Sequence, residues 1–541
     1  MHVSRSRKRS VMRDTWHVAG RGGDGIARYA EGWAANGSPA VHCGSVAHSP
    51  LSTTKEPRVD ANVTAIVLAA GAGTRMKSER AKVLHELAGR PMLAHALAAV
   101  QEFGARRRVV VVGHQREQVE EALASFDAQA TVAVQHERKG TGDAVSAALN
   151  AIDLDPAALG TVLITYGDVP LLQAQTLAEV VAAHREGRRA VTILSAHVDD
   201  PAGYGRILRD AGGDVVAIRE HKDASDDERS VREINSGILV VDGAFLVPAL
   251  NRLTPQNAQG ELYLTDIVGF AVEDGLPVGA HVLEDVWQTE GVNDRVQLAR
   301  LARELNRRIT DHWMREGVTI VDPATTWIDS DVTLAPDVTV LPGTQLLGAT
   351  TVAEGATIGP DTTLRNVEVG RGATVVRTHG SDAVVGPDAT VGPFAYLRPG
   401  TELGTASKVG TFVETKNSTL GDGAKVPHLS YIGDATVGEG SNLGAGAITA
   451  NYDGQHKHRT TIGRHVKTGC DNVFVAPVEI GDGAFTGAGT IVRDDIPPGA
   501  LGVSAGSQRI MEGWVASRRP GSASHEAASA AQQEENTGDQ Q

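Results

Sequence analysis

Aromatic residues make up only 4% of a 541-residue chain whose hydrophobic fraction is 41%. Aromatics normally fill thick cores, so a large part of this protein must be built around a thin one. Cysteine is nearly missing too: Cys43 and Cys470 are too few for a disulfide framework or a thiolate metal site. A reducing, cytoplasmic setting is therefore expected. No apolar run approaches the roughly 20 residues that a membrane helix requires, so no membrane is expected among the partners. The chain also lacks positive charge, and its formal charge of -15 argues against non-specific binding of nucleic acid, which needs a basic footprint. Glycine, by contrast, is plentiful at 61 residues, which points to many tight turns. The length exceeds what one core usually organises, so two or more domains are expected.

The two ends read as tails. Residues 1–60 begin with the basic stretch MHVSRSRKRS but hold no continuous apolar segment of the kind a secretory signal needs, and are expected to be a disordered extension or a mis-assigned start. Residues 515–541 offer few apolar groups to bury and are expected to be disordered. Between the tails, apolar runs alternate with Ala/Leu-rich helical stretches. TAIVLAA, RRVVVVGH, TVAVQHE and TVLITYGDVPLL read as four strands of an open, mostly parallel α/β sheet. In such a sheet, ligands gather at the carboxyl ends of the strands.

Two turns fall at such ends. In LAAGAGTRM, from Leu68 to Met76, glycines let backbone N–H groups approach phosphate oxygens, and Arg75 and Lys82 can neutralise a triphosphate. The GK[ST] ending of a P-loop is absent, and a glycine turn after a strand is equally a structural turn. In YGDVPLL, Asp168 can hold Mg²⁺ against substrate phosphates or can simply cap a helix.

Farther on, VNDRVQLARLARELNRRITDHWMREGV reads as one stiff amphipathic helix, with Val296, Leu298, Leu301, Leu305 and Ile309 at helical spacing, bridging two domains through solvent. From about Val318 the apolar period becomes six, as in Val352, Ile358, Leu364 and in Val385, Val391, Leu397, Leu403, Val409. A six-residue step cannot be an α-helix; it resembles the left-handed parallel β-helix of hexapeptide-repeat proteins, in which each triangular coil covers the next. Residues 372–384 and 450–461 break the rhythm and are expected to be external loops. The repeat alone leaves an enzyme and a structural assembly module equally open.

The motifs LAAGAGTRM with Lys82, GTGDAV, YGD, GYGRI, EHKDAS, EINSGIL and EGVNDR occur in order and resemble the first half of the bacterial GlmU family of bifunctional N-acetylglucosamine-1-phosphate uridyltransferases and glucosamine-1-phosphate acetyltransferases. The resemblance spans about residues 62–514. It implies an α/β nucleotidyltransferase domain with a Rossmann-like mixed sheet at 61–295, a helical linker at 296–316 and a left-handed parallel β-helix at 317–514. It further implies that Leu68, Ala69, Ala70, Gly71 and Lys82 hold the nucleotide phosphates of UTP, and that Gln135, Gly140 and Thr141 read the uracil. Tyr166, Gly167 and Asp168 would line the nucleotide-sugar site, Gly205, Glu220 and Asn235 would hold the amino sugar, and Asp168 and Asn293 would ligate Mg²⁺. Arg75 and Lys82 would stabilise the leaving pyrophosphate.

In the repeat region YLRPG, FVETKNS, PHLSYIGDA, SNLGAGAITANYDG and GAGT resemble the acetyltransferase half of the same family. By that resemblance Arg398 and Lys416 would clamp the sugar phosphate, and Tyr431 and Asn442 would orient the sugar with Asn451 beside it. Ala445, Asn451, Tyr452, Cys470 and Ala488 would border acetyl-CoA. His428 would be the general base that removes a proton from the glucosamine amine, a task for which an imidazole with its ordinary pKa near 6.5 is suited. Glu414 is a candidate to orient it. A homotrimer with sites between subunits is implied as well. The chain departs from the family pattern at Cys470, where many members carry serine, and at Ala505, where many carry an arginine that meets the cofactor's phosphate; Arg509 or another basic residue near the C-terminus is the expected replacement.

Overall fold

The computed structural model describes residues 60–152, 158–504, 506 and 508–538. The expected extension thus lies outside the described residues except at Asp60, as does Ala505. The first domain is a nine-stranded mixed sheet. Its strands are β1 (Asp60–Leu68), β2 (Ala105–Val112), β3 (Thr131–Val134), β4 (Thr161–Tyr166), β5 (Val191–His197), β6 (Gly205–Arg209), β7 (Val215–Arg219), β8 (Glu233–Asp242) and β9 (Val278–Leu283). Seven run in the order β9-β5-β8-β4-β1-β2-β3, and the β6/β7 hairpin pairs off the edge of β8. β1 is parallel to both β2 and β4, whereas β8 is antiparallel to β4 and β5.

The run Val109–Val112 shows why these segments are strands. All four valines are fully buried, with Val110 and Val112 in one core and Val109 and Val111 in the other. Helices cover both faces, so a continuous apolar run with β-branched side chains is stable only in a strand there. Leu68 and Tyr166 are register partners at the carboxyl ends of β1 and β4, which brings the glycine turn and the YGD turn out side by side.

The helix Arg295–Arg315 starts on an Asp294 cap, whose carboxylate accepts from the backbone N–H groups of Val296 and Gln297. It is not the solvent-bridging connector expected from its pattern. Leu301, Leu305 and Ile309 are fully buried in one core shared with Met76, Met92 and Leu171 of the first domain and with Ile328, Val332 and Val338 of the first coils. Buried Asn306 donates to the Thr326 carbonyl and accepts from Ile328 N–H, fixing the helix to the solenoid. Val296, also assigned to the apolar stripe, is instead 79% exposed.

Short parallel strands from Thr319–Ile320 to Leu501–Gly502 then stack as the walls of a parallel β-helix. Leu334, Val352, Val369, Val385, Leu403, Leu420, Val437, Ile462 and Ile480 follow one another in register, and all are buried. Here the six-residue period has its physical cause, one inward aliphatic per wall. Residues 372–384 are not an external loop. They contain the strand Thr374–Val375 and most of His379–Val385, the latter paired with Thr363–Val369. Gly380 takes the inward position there, with Leu364 only 3.0 Å from where a Cβ would stand, so no aliphatic side chain marked the repeat. The second interruption does leave the wall, between the strands Ile448–Ala450 and Thr460–Ile462. The C-terminal tail also differs from expectation, with helices at Trp514–Arg518 and Ala523–Gly538. Alanine-rich sequence favours helix without a core to pack on.

Candidate active sites

In the first domain, the glycine turn leaves β1 against the neighbouring strands. Ala69 N–H donates to the Val111 carbonyl and Gly167 N–H to the Leu68 carbonyl, so Leu68, Ala69, Ala70 and Gly71 run beside Tyr166, Gly167 and Asp168. Gly73 has a φ of 58°, and a Cβ there would stand 2.6 Å from that of Lys82. This packing brings Lys82 over the strand ends, where its ammonium donates to Asp168 Oδ2 and lies 3.5 Å from Asn293 Oδ1. Arg75 donates to the same Asn293 oxygen at 2.9 Å. The four side chains therefore converge on one point. Two oxygens directed at a single ammonium are placed to share a cation, and magnesium needs only one or two protein oxygens when phosphates supply the rest. Asp168 and Asn293 thus fit the ion, although among the described residues no group of three or more His, Cys, Asp or Glu could hold a metal unaided.

A second group forms where β3 ends and the following turn leads into a helix. Buried Gln135 donates its amide to the Gly140 carbonyl at 3.0 Å and to Asp143 at 2.8 Å, while Thr141 Oγ1 accepts from Leu264 N–H. Gly140, at φ 116°, would drive a Cβ to 2.6 Å from the Leu262 carbonyl oxygen, which requires glycine. Beside it Gly205 and Asn235 are register partners across β6 and β8, and Glu220 Oε1 is 3.5 Å from the position of a Gly205 Cβ. Burial raises the Glu220 carboxyl above its usual range, opposed by a hydrogen bond from Thr265 Oγ1 at 3.1 Å. Burial likewise raises the Tyr166 phenol, aided by Glu220 and Asp168.

The solenoid gathers its candidates along one edge. The Gly446 N–H donates to the His428 carbonyl, Asp471 N–H to Ala445 and Gly489 N–H to Cys470. His428, Ala445, Cys470 and Ala488 therefore occupy the same corner in successive coils, and Cys470 is free and exposed. On the adjoining wall Glu414 and Tyr431 are register partners. Glu414 accepts from Arg398 at 2.7 Å and, among the described residues, makes no hydrogen bond to His428. Within one chain Glu414 is engaged by Arg398 and stands in register with Tyr431, whereas His428 pairs with Thr411 on another wall. Asn451 donates to Asp434 and lies 3.4 Å from the Tyr431 hydroxyl. The Lys457 ammonium beside Lys416 pushes the latter's pKa down, with Arg398 adding to the effect. Asn442 sits on the preceding wall in register with Lys425, and Tyr452 is exposed in the external loop.

Residues 65–231 match the MobA-like NTP transferase domain. The bifunctional protein GlmU of Paenarthrobacter aurescens is 56% identical over 88% of this chain and 96% of its own length. The GlmU proteins of Thermobifida fusca and Corynebacterium efficiens are 56% and 54% identical, over 86% and 87% of the chain. The chain belongs to the GlmU family. As a GlmU-family protein it is a bifunctional transferase, with the nucleotidyltransferase chemistry in its mixed sheet and a parallel β-helix behind it.

Three residues of these sites escaped sequence reasoning. Thr265 holds Glu220; Asp434, buried and bonded to Asn417 and Asn451, fixes the Asn451 amide beside the Tyr431 hydroxyl; Lys457 reaches Lys416 from the loop. Asp434 stands within the motif PHLSYIGDA, but a carboxylate in a turn carries no signal of what it will face. Lys457 had none, because only folding of the loop brings it back to the wall.

Proposed function

We propose that this GlmU-family chain makes UDP-N-acetylglucosamine in two steps from glucosamine-1-phosphate, acetyl-CoA and UTP. One observation carries the reading: Lys457 lies against Lys416 with Arg398 near them, on the wall that follows the corner of exposed His428. Glu414 balances Arg398, and a phosphate dianion would balance the two lysines. The sugar phosphate binds there, and Tyr431 and Asn451, steadied by Asp434, orient the ring. His428 takes a proton from the glucosamine ammonium, the freed amine attacks the thioester carbonyl of acetyl-CoA, and the C–S bond breaks to release CoA. Ala445, Cys470 and Ala488 leave room along the edge for the extended pantetheine arm.

In the second step a phosphate oxygen of N-acetylglucosamine-1-phosphate attacks the α-phosphorus of UTP, and the bond to the β-phosphate breaks to release pyrophosphate. Magnesium, held by Asp168 and Asn293 together with the phosphates, supplies charge neutralisation. Gln135, Gly140 and Thr141 bind the uracil, Gly205, Glu220 and Asn235 the amino sugar. Arg75 and Lys82 stabilise the charge that accumulates on the leaving pyrophosphate.

A homotrimer in the cytoplasm, where these substrates are made, completes the reading. Phe394, Phe412 and Leu429 stand in successive coils at left-handed φ values of 58°, 56° and 50° and are 53%, 59% and 63% exposed. Bulky apolar residues are costly in that conformation and in water, and a neighbouring copy covering this corner offsets the cost. One purified preparation assayed for both half-reactions tests the proposal. His428→Ala should abolish acetyl transfer and spare uridylyl transfer, and Asp168→Ala should do the reverse. Retention of acetyl transfer by the first variant would leave the solenoid a structural module only.

A further inference from the structure

The contact between Lys82 and Asp168 bears on how the metal arrives. The Lys82 ammonium occupies the point on which Asp168 Oδ2 and Asn293 Oδ1 converge, and Arg75 holds the same Asn293 oxygen. The Lys82 and Asp168 side chains are only 13% and 15% exposed, so solvent screens the pair little. The backbone that carries each oxygen is held in place. The Asp168 backbone carbonyl is tied to Val292 N–H at 3.0 Å, and the Asn293 N–H donates to Gln297 at 2.7 Å. Lys82 is anchored at its base by the close approach of Gly73. A dication at this point would have to share two protein oxygens with two resident cations, and among the described residues there is no further cluster of acidic side chains to offset it.

We infer that Lys82 is the resident counter-ion of Asp168 and that magnesium enters this site only together with the nucleotide. The inference rests on the proposed metal role of Asp168 and Asn293. A triphosphate brings several negative charges next to the ammonium, draws Lys82 onto its own oxygens and thereby frees Asp168 Oδ2 for the metal. One flexible side chain serves in turn as internal cation and as phosphate ligand, which makes the binding of metal and nucleotide mutually dependent. The dependence is reciprocal, so the metal should also tighten the hold on UTP.

Manganese as a magnesium substitute gives a readout independent of turnover, because free Mn²⁺ has an EPR signal that is lost on binding. Without nucleotide, the intact protein should bind Mn²⁺ only weakly, and Lys82→Gln should bind it at least tenfold more tightly. Lys82→Arg, which keeps the charge, should stay weak. Adding Asp168→Asn to Lys82→Gln should remove the gain, assigning it to this site. With UTP present, the intact protein should bind tightly and depend on Asp168. If that last dependence holds while Lys82→Gln binds no more tightly than the intact protein, the exchange is refuted and the metal site stands. If Mn²⁺ binding never depends on Asp168, the metal assignment itself fails.

Discussion

At the scale of single residues, both sites are organised by groups that reach across long stretches of sequence. Lys457 is the clearest case, since its ammonium depresses the pKa of Lys416 although the two lie in different segments of the solenoid. Two like charges held together in this way bind a dianion more strongly than either would alone. Lys457→Ala should raise the KM for glucosamine-1-phosphate by roughly tenfold to a hundredfold, the loss of one charge-assisted contact, with little change in the KM for acetyl-CoA. Steady-state kinetics of acetyl transfer checks it. Asp434→Asn should instead lower kcat, because Asn451 would lose the carboxylate that fixes it beside the Tyr431 hydroxyl. The motifs around Arg398, Lys416, Tyr431 and His428 marked these positions as candidates. Their partners carried no such mark, because a hydrogen bond between side chains in neighbouring coils leaves no trace in local composition.

At the scale of elements, the helix Arg295–Arg315 ties the two domains into one core, which its heptad-like pattern of leucines could not reveal. Periodicity identifies an apolar stripe but not the surface that covers it. Leu305→Ala should therefore destabilise the protein by about 2–5 kcal/mol, read as a lower urea midpoint for both domains together. The hairpin formed by Glu86–Leu87 and Arg90–Pro91 joins the same junction: Ala88 carbonyl accepts from Ser330 N–H, and Arg90 pairs with Asp331. His95, on the helix Met92–Phe103, hydrogen-bonds the Leu87 carbonyl at 2.8 Å from a fully buried position. Burial lowers its pKa from 6.5 to about 4, and that of His184 likewise. Both imidazoles fold neutral while the unfolded chain takes up protons below about pH 6.5. Their contribution is thus complete above that pH and is lost as pH falls toward about 4. For His95 the loss amounts to roughly 3 kcal/mol, and His95→Gln should flatten the fall in the urea midpoint between pH 7 and 5.

At the scale of the whole molecule, the exposed corner of Phe394, Phe412 and Leu429 leads directly into His428. Phe412→Glu should convert the proposed trimer to monomer by sedimentation and abolish acetyl transfer while sparing uridylyl transfer. Acetyl transfer by a monomer would show that one chain holds the complete site.

The sequence by itself determined the two architectures. Buried valine runs require strands covered on both faces, and a six-residue aliphatic step admits only short parallel walls. Motif order likewise marked the candidate site residues. The tertiary structure decided where the rhythm continued without an aliphatic, at Gly380, and which surface the long helix buries. It also decided that Glu414 serves Arg398 and that Lys82 rests on Asp168. The division has one physical cause. Backbone periodicity is local and repeats along the chain, whereas charges find their partners through space, between residues as distant as Lys82 and Asn293.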